Sequence, residues 1–576
     1  MLYHGIEIDH SRDDRLDEHG KSLMAQFYCM TNERIQEAFA RASIAYSMHD
    51  IELAQRMYDY VSKGWLMFSS PILSNARLSH HEPSRGLPIS CFLSYVPNTL
   101  EGLIDHTCEL RWFSIHGGGV GGHWSDVQSA SDKSAGLIPF LKTCDADIMA
   151  YRQGRTRKGS YASYLDVSHP EIIDFITMRV PTGDLNRKCL NIHHGVNVTD
   201  AFMQCVEFDQ PWNLIDPRTK QVVEVVSARL VWNTILETRF RTGEPYIHFI
   251  DTSNRALPPI MSRKGLRIHG SNLCSEIMLP TDSDRSAVCC LSSLNIEHFE
   301  TWKDTTIVED LTKFLDNVLS VFILYAPGSI AKARRSAILE RSIGIGAMGF
   351  HYYLQKYMIP FESYRALEKN EEIFQLIFDR ATSATFVLAR ERGCPSDMHG
   401  TGRRNAHLIA IAPNANSSII CNTSPSVEPV SANVITARTR VGSFYQKNRI
   451  LEEYLENIGQ NTDETWATIL ADRGSVQNLP LLDNAKAVFK TAIELDQLTI
   501  IRLASARQKY ICQSQSINLF FPSNTDRMLI HKIHFEAWKR GMKSLYYLRT
   551  QSSSKVELIS PKCDLADKSS CRSCEG

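Results

Sequence analysis

The chain has 576 residues, 43% hydrophobic and 22% charged, enough apolar material for a buried core and too much for a disordered chain. By length it divides into several ordinary units or forms one large barrel with attachments. Lys and Arg number 63 against 64 Asp and Glu, a formal net charge of −1, so no global basic field exists for nucleic acid or an anionic membrane.

The N-terminus, MLYHGIEIDHSRDD, lacks the basic-then-apolar pattern of a signal peptide. From Lys21 to Lys63, apolar residues recur at three- and four-residue steps, so residues 1–65 are predicted to be a helical region. Beyond Gly64, short apolar runs (PYIHFI, LRIHG, HLIAIA, SINLFF, SLYYL) alternate with longer helical patterns such as EEIFQLIFDRATSATFVLARERG and LDNAKAVFKTAIELDQLTIIRLASARQKY. Strands alternating with helices predict an α/β unit with largely parallel strands over 66–550. Asn317 to Ala331 is uncharged but holds Pro327 and Gly328. It falls short of the roughly 20 residues a bilayer span needs and reads as a buried helix. Residues 551–576 are polar and aperiodic, a mobile tail. Fifteen cysteines, odd in number and scattered, favour reduced thiols in a cytoplasmic compartment over a disulfide framework.

Two segments match the spelling G-x-G-x-x-G, Gly117-Gly119-Gly122 and Gly344-Gly346-Gly349. A dinucleotide fold needs a buried strand before the first glycine, and neither ELRWFSIH nor AKARRSAILERSI reads as one. Tight turns or close backbone packing are the better reading. HLIAIAPNANSSIICNTS runs from an apolar strand through Pro413, Asn414, Ala415, Asn416 and Ser417 into a potential helix. Free N–H groups at such a helix start hold a phosphate, or the segment is simply a capped helix.

SNLCSEIML carries the most information. Asn272, Cys274 and Glu276 fall at steps of two, so an extended backbone would point all three to one side. Either they form a site or they line the solvated face of an edge strand, since burying Glu276 without a partner is costly. Cys91 lies far upstream, and Cys289 and Cys290 are adjacent. Taken singly, such thiols are often just small buried hydrophobes. Cys571 and Cys574 form C-x-x-C in the tail, half of a zinc site with Cys563 or a redox dithiol on a flexible arm. Tyr546 and Tyr547 stand side by side; a regular strand would point them to opposite faces.

Together the ordered segments SSPILSNA, SCFLS, GGGVGG, NLCSEI, VCCLSSLN, RSIGIGAMGF, PNANSS, SPSVEP, QSQSINLF, LYY and CRSCEG resemble the large, catalytic subunit of class I ribonucleotide reductase. The resemblance implies a ten-stranded α/β barrel with a central finger loop, and reduction of ribonucleoside diphosphates by radical chemistry. It implies Cys274 as the transient thiyl radical, Glu276 as base on the ribose 3′-hydroxyl and Asn272 as its hydrogen-bonding companion. Cys91 and Cys289 become the pair that closes to a disulfide, with Cys290 a bystander. Cys571 and Cys574 become the tail shuttle, recharged by thioredoxin or glutaredoxin. Tyr546 and Tyr547 become a stacked radical relay, and Ser70, Ser90, Gly119 and Pro413 to Ser417 the substrate contacts. It further implies a homodimer, a separate metal-containing small subunit that supplies the radical, no metal or cofactor in this chain, and nucleotide effectors as further ligands.

Three departures stand out. Only about 60 residues precede the shared region, so the family's N-terminal ATP cone is expected to be missing, and with it overall control by ATP and dATP. Asn98 replaces a usual effector-binding Asp, Gln128 replaces a usual Arg, and the loop after Gln128 is short. The Asn414–Ser417 turn replaces the common Ser-Glu-Thr-Ser. The competing reading is an inactive or regulatory nucleotide-binding paralogue, which has no need of the thiols.

Overall fold

The computed structural model describes residues 1–79, 86–130, 134–151, 159–439 and 442–551. The N-terminal periodicity resolves into three helices, α1 (Glu18–Phe27), α2 (Ile35–Ala45) and α3 (Ile51–Ser62). Asp17 and Asp50 cap α1 and α3 by accepting from the backbone N–H groups of Gly20 and Leu53, satisfying donors a helix start leaves orphaned. Buried Arg41 ties the helices to the short helix Ser70–Asn75 and the chain just beyond it. It pairs with Glu33 at 2.6 Å and donates to the carbonyls of Leu73 and Ala76.

The ring of strands follows from their pairing. Cys91–Tyr95, Gly119–His123, Tyr161–Asp166, His193–Val198 and Tyr246–Phe249 lie side by side in that order, all parallel. Ala287–Cys289 then pairs antiparallel with Cys91–Tyr95, and its continuation Leu291–Asn295 pairs parallel with Gly344–Met348. Parallel bridges carry this second half onward, Ile345 to Ile409 and Ile411 to Gln515. Tyr546 N–H donates to the Ile517 carbonyl, and Ser544–Leu545 returns antiparallel to Tyr246–Phe249. Two five-stranded halves of opposite direction thus close a ten-stranded α/β barrel, the fold class expected. Closure removes the exposed edges that an open sheet would carry.

Both glycine motifs are barrel strands preceded by helices, Leu100–Ile115 and Ala331–Glu340, so the dinucleotide reading falls. Their glycines make room for close neighbours. A Cβ at Gly121 would overlap the carbonyl oxygen of Ser271, and one at Gly346 the Ser293 hydroxyl.

Ser271 belongs to a loop that fills the barrel. The expected strand at LRIHG is absent: Leu266–Gly270 is irregular, because the Asn254 side chain takes both the N–H and the carbonyl of Ile268. Asn197 Nδ2 donates to the His269 carbonyl from one half of the barrel. From the other half, Ser514 N–H, Ser516 Oγ and Ser544 Oγ donate to the carbonyls of Glu276, Cys274 and Ser275. The loop is therefore held across the barrel's bore by hydrogen bonds from both walls.

Two other expectations change in detail. The pattern from Leu482 to Tyr510 forms two helices, Asp483–Val488 and Gln497–Gln508, because Glu494 folds back on Thr491 N–H and Asp496 caps the second helix. The helix expected within Asn317–Ala331 begins earlier, at Ile307, and ends at Tyr325 before Pro327. Its buried face includes Val318, Leu319 and Phe322. Among the described residues no single helix is long and apolar enough to cross a membrane.

Gly121→Ala should force the Ser271 carbonyl outward at a cost of about 1–3 kcal/mol. Calorimetry should show a lowered Tm, whereas Gly183→Ala, with open space around it, should cost less and act only through its positive φ.

Candidate active site

The motif expected to be extended is instead a turn. Residues 273–275 reverse the chain, Ser275 has φ +66°, and Ser275 N–H donates to the Asn272 carbonyl at 3.4 Å. The Asn272 side chain closes the turn: its Oδ1 accepts from the N–H groups of Glu276 and Ile277, both at 3.1 Å, and its Nδ2 donates to Glu276 Oε1 at 2.9 Å. Asn272 and Glu276 therefore meet through the bend. Tyr164 steadies it from the barrel wall, its hydroxyl donating to the Asn272 carbonyl at 2.7 Å and lying 3.0 Å from Ser275 Oγ.

Cys274 sits at the tip, 1% exposed. The Tyr546 hydroxyl donates to its sulfur at 3.6 Å. The Tyr546 and Tyr547 rings lie 4.2 Å apart, tilted by 52°, so the pair departs from strand geometry. The cause is local. Ser544–Leu545 ends and Leu548–Gln551 begins on either side, and Tyr547 N–H is taken by Asn518 Oδ1 at 3.1 Å. Glu428, from the SPSVEP segment, fixes Asn518 by accepting from its N–H and its Nδ2 at 2.8 and 3.0 Å.

Cys91 and Cys289 are direct partners in an antiparallel pair, a geometry that sets Cα atoms about 4.5–5.5 Å apart, inside the span a disulfide accepts. Both are thiols here and share one buried cluster with Cys274, Tyr164, Tyr246 and Tyr546. Burial pushes the Cys289 thiol well above its ordinary range, and neighbouring Cys91 and Glu276 add to the shift. Cys290 points the other way, into the main core, where its thiol donates to the Leu315 carbonyl at 3.6 Å.

Burial drives Glu276 up to about 8, with Cys91 adding to the rise and the Asn272 amide opposing it. A buried carboxylate in such surroundings is expensive unless hydrogen-bonded, so the neutral form persists to higher pH.

The remaining expected contacts lie on the same strands. Ser90 is buried, and its carbonyl accepts from Gly119 N–H at 3.0 Å; Gly119 itself is opposite Cys91. Ser70 opens a short helix, its hydroxyl 2.7 Å from that of Tyr28. Pro413 leads into the helix Ala415–Cys421, as expected, with Asn414 at its N-cap in the left-handed region. The Asn414 side chain is committed to the barrel, accepting from Ser293 Oγ and donating to the Ala347 carbonyl. Gln128 N–H donates to Asn98 Oδ1 at 2.9 Å, so the two substituted positions are in contact. Cys571 and Cys574, with Cys563, lie outside the described residues.

Tyr164, Tyr246 and Ser516 were not singled out from sequence. Tyr246 packs against both relay rings, with centroids 4.8 and 5.2 Å away. Ser516 lies within the QSQSINLF segment, where four polar residues in a row, Gln513 to Ser516, ahead of an apolar run were the available signal.

The closed barrel thus encloses a buried cysteine on an internal loop, with a tyrosine hydroxyl against its sulfur and the Cys91–Cys289 thiol pair in the same buried cluster. Among known families, the ribonucleotide reductase barrel domain matches residues 89–401 and 395–548, and the ribonucleotide reductase all-alpha domain matches 14–81. The chain belongs to the ribonucleotide reductase large-subunit family. A Frog virus 3 (isolate Goorha) protein, provisionally named a ribonucleoside-diphosphate reductase large subunit, is 51% identical over 96% of this chain and 97% of its own. The ribonucleoside-diphosphate reductase large subunit of Invertebrate iridescent virus 3 is 42% identical over 99% of this chain and 100% of its own. The Actinobacillus ureae class Id ribonucleotide reductase alpha subunit superposes with a TM-score of 0.83 at 34% identity, covering 95% of this chain and 98% of that one.

Linkage gives a test of the Glu276 environment. Its raised pKa means the folded state holds a proton that the unfolded state releases near 4.5, so stability falls as pH rises from there to about 8. Glu276→Gln, always neutral, should therefore gain on the parent across that window, by a few kcal/mol at most, in denaturant titrations at stepped pH.

Proposed function

We propose that this chain is the catalytic subunit of a ribonucleoside-diphosphate reductase, converting ribonucleoside diphosphates to 2′-deoxyribonucleoside diphosphates through a thiyl radical on Cys274. The observation that carries this is the 3.6 Å contact of the Tyr546 hydroxyl with the Cys274 sulfur, inside a closed barrel beside Glu276. Family membership supports a small-subunit partner and nucleotide substrates. When bound, that partner's metal cofactor supplies an oxidising equivalent.

In this reading Tyr547 and Tyr546 pass the equivalent inward and Cys274 loses its hydrogen to Tyr546. The sulfur radical removes the ribose 3′ hydrogen. Glu276 takes the 3′-hydroxyl proton, for which it must be ionised and within hydrogen-bond reach. The 2′-hydroxyl leaves as water with a thiol proton. Cys91 and Cys289 supply two electrons and close to a disulfide, and Cys274 returns the hydrogen to the 3′ carbon. The balance is one ribose hydroxyl and two thiols converted to a methylene, one water and one disulfide. The burial of Cys274 serves this sequence, because a carbon or sulfur radical open to solvent would be quenched. Diphosphate binding falls to the Pro413–Ser417 turn, with Ser70, Ser90 and Gly119 along the sugar and base. The Cys571–Cys574 dithiol re-reduces the site and is recharged by thioredoxin or glutaredoxin. A homodimer in a reducing, cytoplasmic compartment completes the proposal.

With the small subunit and a dithiol, the protein should turn over CDP, and Cys274→Ser and Tyr546→Phe should each lose at least 1,000-fold in rate, on the order of 4 kcal/mol of barrier. Full activity in Cys274→Ser would sink the mechanism; tight CDP binding without turnover under any radical source would instead support the paralogue reading. The rate should fall as pH drops below about 8, where Glu276 takes up its proton. Replacing Cys571 and Cys574 by Ser should leave a single turnover per site with thioredoxin, measured by rapid quench, then arrest.

A further inference from the structure

A third ring shares the pocket of the two relay tyrosines. Tyr246, on the strand that pairs with Ser544–Leu545, is 0% exposed. Its ring centroid lies 4.8 Å from that of Tyr546 and 5.2 Å from that of Tyr547, and it stacks on the His193 imidazole at 6.2 Å. Yet its hydroxyl makes no hydrogen bond of ordinary geometry among the described residues. A buried hydroxyl left in that state is costly, and native structures keep few of them. The hydroxyl that bears on it is that of Tyr547. Burial, Glu244 and Tyr547 together push the Tyr246 phenol well above its ordinary range, so it keeps its proton.

The groups around the Tyr547 oxygen decide what that proton is for. His193 Nδ1 lies 3.4 Å from the oxygen but only 2.7 Å from Glu244 Oε1. Burial would raise Glu244, but Arg179, His193 and His194 outweigh it and hold the carboxyl well below its ordinary range. A carboxylate only accepts, so the close contact requires a proton on Nδ1. That proton is committed to Glu244, and Nδ1 has no lone pair left for Tyr547. A tyrosine that is oxidised loses its phenolic proton with the electron, and its oxygen can then only accept. Tyr246 carries the uncommitted donor beside that oxygen, and a turn about its C–O bond is enough to aim it.

We propose that Tyr246 is a positioning residue of the radical relay, whose orphan hydroxyl donates to the Tyr547 oxygen once Tyr547 is oxidised and so favours the radical there. The proposal rests on the functional reading above and deepens it. Tyr547 gives one electron and its phenolic proton to the one-electron oxidant of the small subunit, and recovers both from Tyr546 as the radical moves inward. Tyr246 exchanges neither and only rotates its O–H bond. The resting chain carries an unpaired hydroxyl, and oxidation of Tyr547 supplies its missing acceptor, which lowers the energy of the radical relative to the resting state.

The experiment places 3-aminotyrosine, which is oxidised more easily than tyrosine, at position 547 of the full chain, so that the radical stops there after mixing with the small subunit and CDP. Electron–nuclear double resonance in D2O then counts the exchangeable deuterons bonded to the radical oxygen. The parent should show one more than Tyr246→Phe, and His193→Phe should match the parent. With the natural Tyr547 in place, Tyr246→Phe should slow single-turnover CDP reduction roughly tenfold, the worth of one neutral hydrogen bond. Its Tm should not fall, because no hydrogen bond of the resting chain is removed. A deuteron that persists in Tyr246→Phe, or one lost in His193→Phe alone, would overturn this proposal while turnover by the parent leaves the functional reading standing. Absence of CDP turnover by the parent with its small subunit would overturn the functional reading and this proposal together.

Discussion

The site depends on one steric fact: a loop runs through the bore of a ten-stranded barrel, and the wall must be thin where it passes. Gly121 supplies the thin place, since any side chain there would overlap the Ser271 carbonyl. With the loop against that wall, its carbonyls reach Ser514, Ser516 and Ser544 on the opposite half. Buried carbonyls left without donors would each cost about 1–3 kcal/mol, so these bonds specify a single depth for the loop. Cys274 is placed by that depth.

Around this point the barrel assembles groups that need isolation from water. The Cys91–Cys289 pair arises at one of the two antiparallel seams between the halves, where Ala287–Cys289 meets Cys91–Tyr95. The tyrosine pair arises at the other seam, beside Ser544–Leu545. In the proposed mechanism the dithiol's electrons and the tyrosines' radical thus enter from opposite joins of the same ring. At both joins the regular ladder is interrupted, which lets side chains take orientations a continuous strand would forbid.

The low polarity of this interior has two consequences. It keeps thiols and phenols protonated, so oxidation there moves hydrogen rather than bare charge. It also makes the Glu276 carboxyl reluctant to ionise, while the hydrogen bonds it accepts from Asn272 and Ser516 oppose that rise. Desolvation and donor count, rather than a neighbouring cation, govern the site.

Much of this was legible in the residues. Periodicity marked the N-terminal helices, alternation marked an α/β unit, and the ordered motifs marked the family with its cysteines and tyrosines. Local pattern failed where long-range contacts overrode it. Asn272, Cys274 and Glu276 read as an extended run, but Asn272 finds better partners in the Glu276 and Ile277 N–H groups and bends the chain. LRIHG read as a strand, but Asn254 occupies the hydrogen bonds a neighbouring strand would need. Glycine spacing suggested turns or close packing, and only the fold identified the neighbours. Sequence by itself determined which chemical groups the protein possesses, because side-chain identity and short-range periodicity are local properties. Tertiary structure alone decided their meeting points, the pairing of Cys91 with Cys289 and the reach of Ser516 to Glu276, because those contacts join segments 198 and 240 positions apart and exist only once the ring has closed.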